Sequence, residues 1–164
     1  MRDSLIAILL AFAWRADGEM RALAPGLVAS VVGVTAGLLT TLVGFFAHEW
    51  GHLLGALAGG GVVHAPRSLR SPFLFFFDVE RSDRRAFLAM SYGGYAASAV
   101  ALAVIMLAVP WRTLSGMTAL VATGLGVLAT FAIEVPTTVR VARGGALPSG
   151  GVFADASGHP AARK

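Results

Sequence analysis

The sequence predicts an all-α membrane protein with about three transmembrane helices, an N-terminal interfacial helix and a short β-hairpin or re-entrant segment. Composition carries the first step: hydrophobic residues make up 56% of the 164, and Asp, Glu, Lys and Arg together only 13%, against about 25% charged in a soluble domain. A soluble fold of this size buries only about two thirds of its surface and has nowhere to hide so much apolar side chain. The same apolarity excludes a disordered chain. Distribution carries the second step, because the apolar residues fall into three runs of membrane-crossing length. The net charge of +4 in so apolar a chain points to loops facing an anionic leaflet, and with no basic-aromatic motif no nucleic-acid partner is expected. There are no cysteines, so disulfide frameworks and Cys-based zinc ribbons are impossible.

Residues 1–24 hold an apolar stretch of about ten residues from Leu5 to Trp14, bounded by Arg2 and Asp3 on one side and Arg15 and Asp17 on the other. Ten residues are too few to span, so an interfacial helix is expected. The rival is a cleaved leader ending near Ala13, which Asp3 opposes by spoiling the basic start. Residues 26–58 follow Pro25, a good first-turn residue, and contain only His48, Glu49 and His52 as ionisable members among 33. That exceeds the ~20 residues needed to cross and predicts one long helix, stopped by Gly59, Gly60 and Gly61. Residues 60–85 carry two short apolar runs, Val62-Val63 and 73–77, between prolines and charges, which read as strands or a re-entrant hairpin. Spans two and three are expected over 86–109 and about 113–139, the latter interrupted only by Glu134 and Pro136. Residues 25–143 thus form a transmembrane core, and 144–164, rich in Gly, Pro, Ser and Ala, a flexible tail.

Three spans put Arg2, Arg15, Arg21 and Arg112 on one side of the bilayer. Arg67, Arg70, Arg81, Arg84, Arg85, Arg140, Arg143, Arg163 and Lys164 lie on the other. By the positive-inside bias the hairpin and tail are cytoplasmic.

The first span contains His48-Glu49-Trp50-Gly51-His52, an HExxH. Two histidines at i and i+4 share a helical face, so both rings can bind one zinc while Glu49 reaches a metal-bound water as general base. Such groups are costly in a membrane helix, about 2.5–3.5 kcal/mol for a central acid, and a metal would offset that. The plain alternative is a hydrated polar helix end. Gly51, Gly55 and Gly59 add a small-xxx-small face that lets another helix approach closely.

With these residues in place the chain resembles the site-2 protease family of intramembrane zinc metalloproteases, over roughly residues 44–145. The resemblance rests on Ala47 to His52 and on the glycine-rich segment Gly59 to Val63 after the motif helix. The family's Gly-Pro pair on a following helix has Gly93-Gly94 as its counterpart, with Gly94 where the proline is usual. Its third zinc ligand is an aspartate in a Leu-Asp-Gly motif. Aligning Pro136 on the family's helix proline puts Ala142-Arg143-Gly144 there, and arginine cannot ligate zinc. Either another residue supplies the ligand or the chain is a non-catalytic relative that binds metal or membrane partners.

Glu134 is the strongest substitute and Asp155 the second. At 1.5 Å per residue, His48 lies about 33 Å from Gly26 and Glu134 about 31 Å from Thr113, on helices that start from the same side. Asp78, Glu80 and Asp83 read as solvated loop charges, His64 as an exposed loop histidine, and His159 as part of the tail. The phenylalanine run, Phe75, Phe76 and Phe77 included, either anchors in the interface or offers a strand edge to an unwound substrate. The resemblance therefore implies a zinc endopeptidase of the cell membrane acting on membrane-associated proteins or peptides near the cytoplasmic face. Its metal ligands would be His48, His52 and Glu134, its general base Glu49, and its substrate-binding residues Phe75, Phe76 and Phe77.

Overall fold

The computed structural model describes residues 2–23, 26–66, 74–149 and 153–154. Four helices and three short strands follow one another: α1 (Arg2–Leu23), α2 (Leu27–Ala58), β1 (Val63–His64), β2 (Phe76–Asp78), α3 (Arg84–Ala108), α4 (Leu114–Ala142) and β3 (Phe153–Ala154). Three of these helices, α2, α3 and α4, are long and apolar enough to cross a membrane. Pro25, Arg67, Arg70, Phe73, Asp155 and His159, to which the sequence reading gave roles, lie outside the described residues, as does most of the tail.

The ends of the helices follow from local chemistry. Gly60 stops α2 at φ 80°, with Gly60 N donating to Leu57 O and Gly61 N to Ala56 O, the paired bonds that close a helix on a left-handed residue. Gly144 repeats this at α4, at φ 98°, with Gly145 N donating to Arg140 O. Asp83, exposed as expected of a loop charge, also caps α3 by accepting the N–H of Ala86 at 2.8 Å, because a carboxylate ahead of a first turn satisfies an orphan donor. Pro136 lies inside α4 without ending it.

The chain divides into two compact units that share the three long helices. Unit 1 comprises residues 1–46 and 98–129 and unit 2 residues 47–97 and 130–164.

In unit 1, α1 is far longer than its apolar run. Ion pairs at i,i+4, Arg15 to Glu19 and Arg21 to Asp17, both at 2.9 Å, accompany its polar second half. The helix also folds back along α2. Trp14 Nε1 donates to Thr40 Oγ1 at 3.0 Å, and Asp17, nearer the turn on α1, abuts Gly33, nearer the turn on α2. Asp17 is 1% exposed and accepts from Ser115 Oγ at the start of α4 at 2.7 Å. Thr41 and Thr123 hydroxyls bond at 3.1 Å.

In unit 2, the strands form one sheet in the order β1-β2-β3. β1 and β2 make the expected hairpin, antiparallel with Val63 opposite Phe77. β3 adds to β2 in parallel with Phe77 opposite Phe153, so part of the segment read as a flexible tail is a strand. The sheet's aromatic rings and the helices close one core made of Ala56, Phe75, Phe77, Ala86, Phe87, Met90 and Val141. Asp78 and His64 correct the sequence reading too. Asp78 is fully buried and accepts from His64 Nε2 at 2.9 Å and from the N–H groups of Glu80 and Arg81 at 3.0 Å. Burial alone would raise its carboxyl, but the bonds from His64, Arg81 and Glu80 outweigh that and hold it below its ordinary value.

Candidate metal centre

The site lies within unit 2 and begins with a close helix approach. Gly51, Gly55 and Gly59 of α2 face Ala86, Ala89, Gly93 and Ala97 of α3, and a Cβ on any of those three glycines would run into α3. Small residues on both sides let the backbones meet without intervening side chains. The contact brings two α3 carbonyls to the histidines. His48 Nδ1 donates to Gly94 O at 3.1 Å and His52 Nδ1 to Met90 O at 2.9 Å. Gly94 is required here, since a Cβ on it would occupy the His52 ring.

These bonds fix the tautomers. A carbonyl only accepts, so each Nδ1 carries the proton, and in a neutral imidazole Nε2 then presents a lone pair. The two Nε2 atoms face one another at 2.9 Å. The third group comes from α4: Glu134 Oε1 lies 3.4 Å from His48 Nε2 and Oε2 3.3 Å from His52 Nε2. His48 and His52 are buried and Glu134 is half-buried. Among the described residues, Glu134 Oε2 is the one buried side-chain nitrogen or oxygen without a hydrogen-bond partner.

Three acceptor atoms from separate side chains thus converge, all within 4.8 Å of one another. Ligands at about 2.0–2.2 Å around a tetrahedral ion stand roughly 3.3 Å apart, and here the two Nε2 atoms are 2.9 Å apart, with each one 3.3–3.4 Å from a different oxygen of Glu134. The donor set of two imidazoles and one carboxylate suits zinc with a further position open. Thr138, one turn beyond Glu134 on α4, receives Tyr95 Oη of α3 at 2.7 Å, and Tyr95 also packs on Phe131 at 5.0 Å between ring centroids. This tie fixes the stretch of α4 that carries Glu134 against α3.

Beside the cluster runs a groove of about 260 Å³ lined by Glu49, His52, Glu134, Phe75, Phe87 and Phe153 among others. Glu49 is half-buried on this wall. The phenylalanine run does not act as one unit. Phe75 lines the groove, but Phe77 is fully buried in the core, and Phe76 stands opposite His64. The free β2 edge expected for a substrate does not exist, because β1 covers one side and β3 the other. Arg143, at the position aligned with the family's aspartate, is exposed just past the end of α4. Several groove residues, Phe87, Met90 and Phe153 among them, were missed by sequence reading; for Phe153, one aromatic among Gly, Ser and Ala gives no strand periodicity. No protein family, curated protein or solved structure matches the chain, so chemistry and geometry alone carry the functional reading.

Proposed function

We propose that the chain is a membrane-embedded zinc endopeptidase of site-2 protease type that cuts membrane-associated proteins or peptides. The observation that carries this is the convergence of His48, His52 and Glu134, three acceptors with an unpartnered carboxylate oxygen, beside a groove that Glu49 also lines. Three acceptors brought together without a donor repel unless a cation or an extra proton lies between them. A zinc ion there supplies Lewis acidity, polarising a scissile carbonyl and lowering the pKa of water.

The chain's own residues do the rest. Met90 O and Gly94 O hold the imidazoles in the ligating tautomer. Glu49 takes one proton from the attacking water as its oxygen bonds to the carbonyl carbon, then delivers that proton to the amine nitrogen as the C–N bond breaks. Phe75, Phe87 and Phe153 give the groove apolar walls that accept hydrophobic side chains and keep bulk water from the carboxylates.

α2, α3 and α4 cross the bilayer in this reading. His48 lies ten residues before the end of α2, about 15 Å along the axis, which sets the site toward the hairpin side. The nine-to-four bias of basic residues makes that side cytoplasmic in the cell membrane.

The test is hydrolysis of a membrane peptide with metal content measured in parallel. Glu49→Gln is expected to keep the metal and lose at least about 100-fold in rate, while His52→Ala loses the metal. Full metal and activity in both variants would exclude the mechanism. A chain that binds metal but never cleaves would support the non-catalytic alternative.

A further inference from the structure

β3 lies along the edge of β2 opposite β1. It pairs in parallel with β2, Phe77 opposite Phe153 and Asp78 opposite Ala154. The Phe153 ring packs 6.4 Å from that of Phe77 and 6.0 Å from that of Phe87. The same side chain lines the groove that holds Glu49, His52 and Glu134. On the other edge of β2, β1 is tied down by the His64–Asp78 bond and by its connection to α2. In its described part β3 is held by the two-residue ladder and by the packing of the Phe153 ring.

We propose that β3 is an internal occupant of the peptide-accepting edge of β2. The substrate is then an extended segment that displaces it, runs parallel to β2 and sets a large apolar side chain where Phe153 sits. This rests on the endopeptidase reading and deepens it by naming the substrate's conformation, polarity and anchoring residue. It also builds a restraint into the fold. A tethered segment competes at an effective concentration in the millimolar range, so free peptides with weaker anchors are excluded, while main-chain bonds supply affinity to any sequence that carries the anchor.

Binding of a fluorescent peptide with the sequence of residues 149–156, Ser-Gly-Gly-Val-Phe-Ala-Asp-Ala, to the full chain in detergent with chelator present tests this without reference to hydrolysis. Phe153→Asp is expected to bind the peptide at least 10-fold more tightly than the parent, and Phe153→Leu within about 3-fold of it. In the parent chain, hydrogen exchange of the Phe153 and Ala154 backbone amides should speed up at least 10-fold when the peptide saturates it. Equal or weaker peptide binding by Phe153→Asp overturns the proposal, since β3 would then be a structural strand. So does unchanged exchange of those amides at saturating peptide. Displacement without any cleavage by the metal-loaded chain would instead remove the endopeptidase reading and leave the peptide site.

Discussion

Unit 1 and unit 2 are built from consecutive stretches of the same three long helices, yet they treat buried polarity in opposite ways. In unit 1 the buried polar groups are paired: Trp14 with Thr40, Asp17 with Ser115 and the exposed Arg21, Thr41 with Thr123. Those groups hold helices together, and among the described residues of unit 1 no buried side-chain nitrogen or oxygen lacks a partner. In unit 2 the Nε2 atoms of His48 and His52 and the carboxylate of Glu134 converge as acceptors, and one oxygen stays unpartnered. An unmet buried acceptor in low dielectric is costly, and in the proposed reading a metal ion offsets that cost. In an apolar protein, satisfied polarity marks structure and unsatisfied polarity marks a site.

The contrast is broken most severely at the glycines. Gly94→Val in unit 2 places atoms on the His52 ring and is expected to lower metal affinity about 100-fold. Gly124→Ala in unit 1 meets nothing within 4 Å and should leave both metal binding and stability unchanged. Equal affinities by metal titration would show that α3 does not position the ring.

The next effect belongs to unit 1. Asp17→Ala removes the acceptor for Ser115 and Arg21 and should destabilise the chain by about 2 kcal/mol in a denaturation series, with metal affinity intact. Loss of metal in that variant would join what the comparison separates.

The smallest effect sharpens the contrast inside unit 2, where Asp78 is buried but satisfied. Its carboxyl is held below the ordinary value, so it contributes stability above about pH 3.9 that is lost as pH falls through the depressed value. Melting curves should show about 1 kcal/mol of acid sensitivity that Asp78→Asn removes. An unchanged acid profile in Asp78→Asn would mean that its bonds carry no net stability.

The helices and the three metal-cluster residues were legible in the sequence for a physical reason. Runs of apolar residues and the glycine stops are local signals, and an ionisable residue in such a run is costly enough to need an explanation, which is how Glu134 stood out. Its level relative to His48 followed from helix rise alone. What was not legible depends on partners distant in sequence. Asp78 and His64 look like loop charges until β1 and β2 pair them. Asp17 looks like a helix boundary until Ser115 reaches it from 98 residues away. Gly94 reads as a departure from the family's proline, yet the structure uses its missing side chain as the seat of the His52 ring. β3 is two residues long, below the length at which alternation carries information.

The account's central claim is that His48, His52 and Glu134 together bind one metal ion. X-ray absorption at the zinc edge on the purified, zinc-loaded chain tests it most directly, with Glu134→Gln beside it. The account predicts one zinc per chain with a first shell of two imidazole nitrogens and carboxylate oxygen at about 2.0–2.2 Å, and loss of that oxygen with weaker binding in Glu134→Gln. A chain that takes up no stoichiometric zinc, or a shell and affinity unchanged in Glu134→Gln, would contradict it.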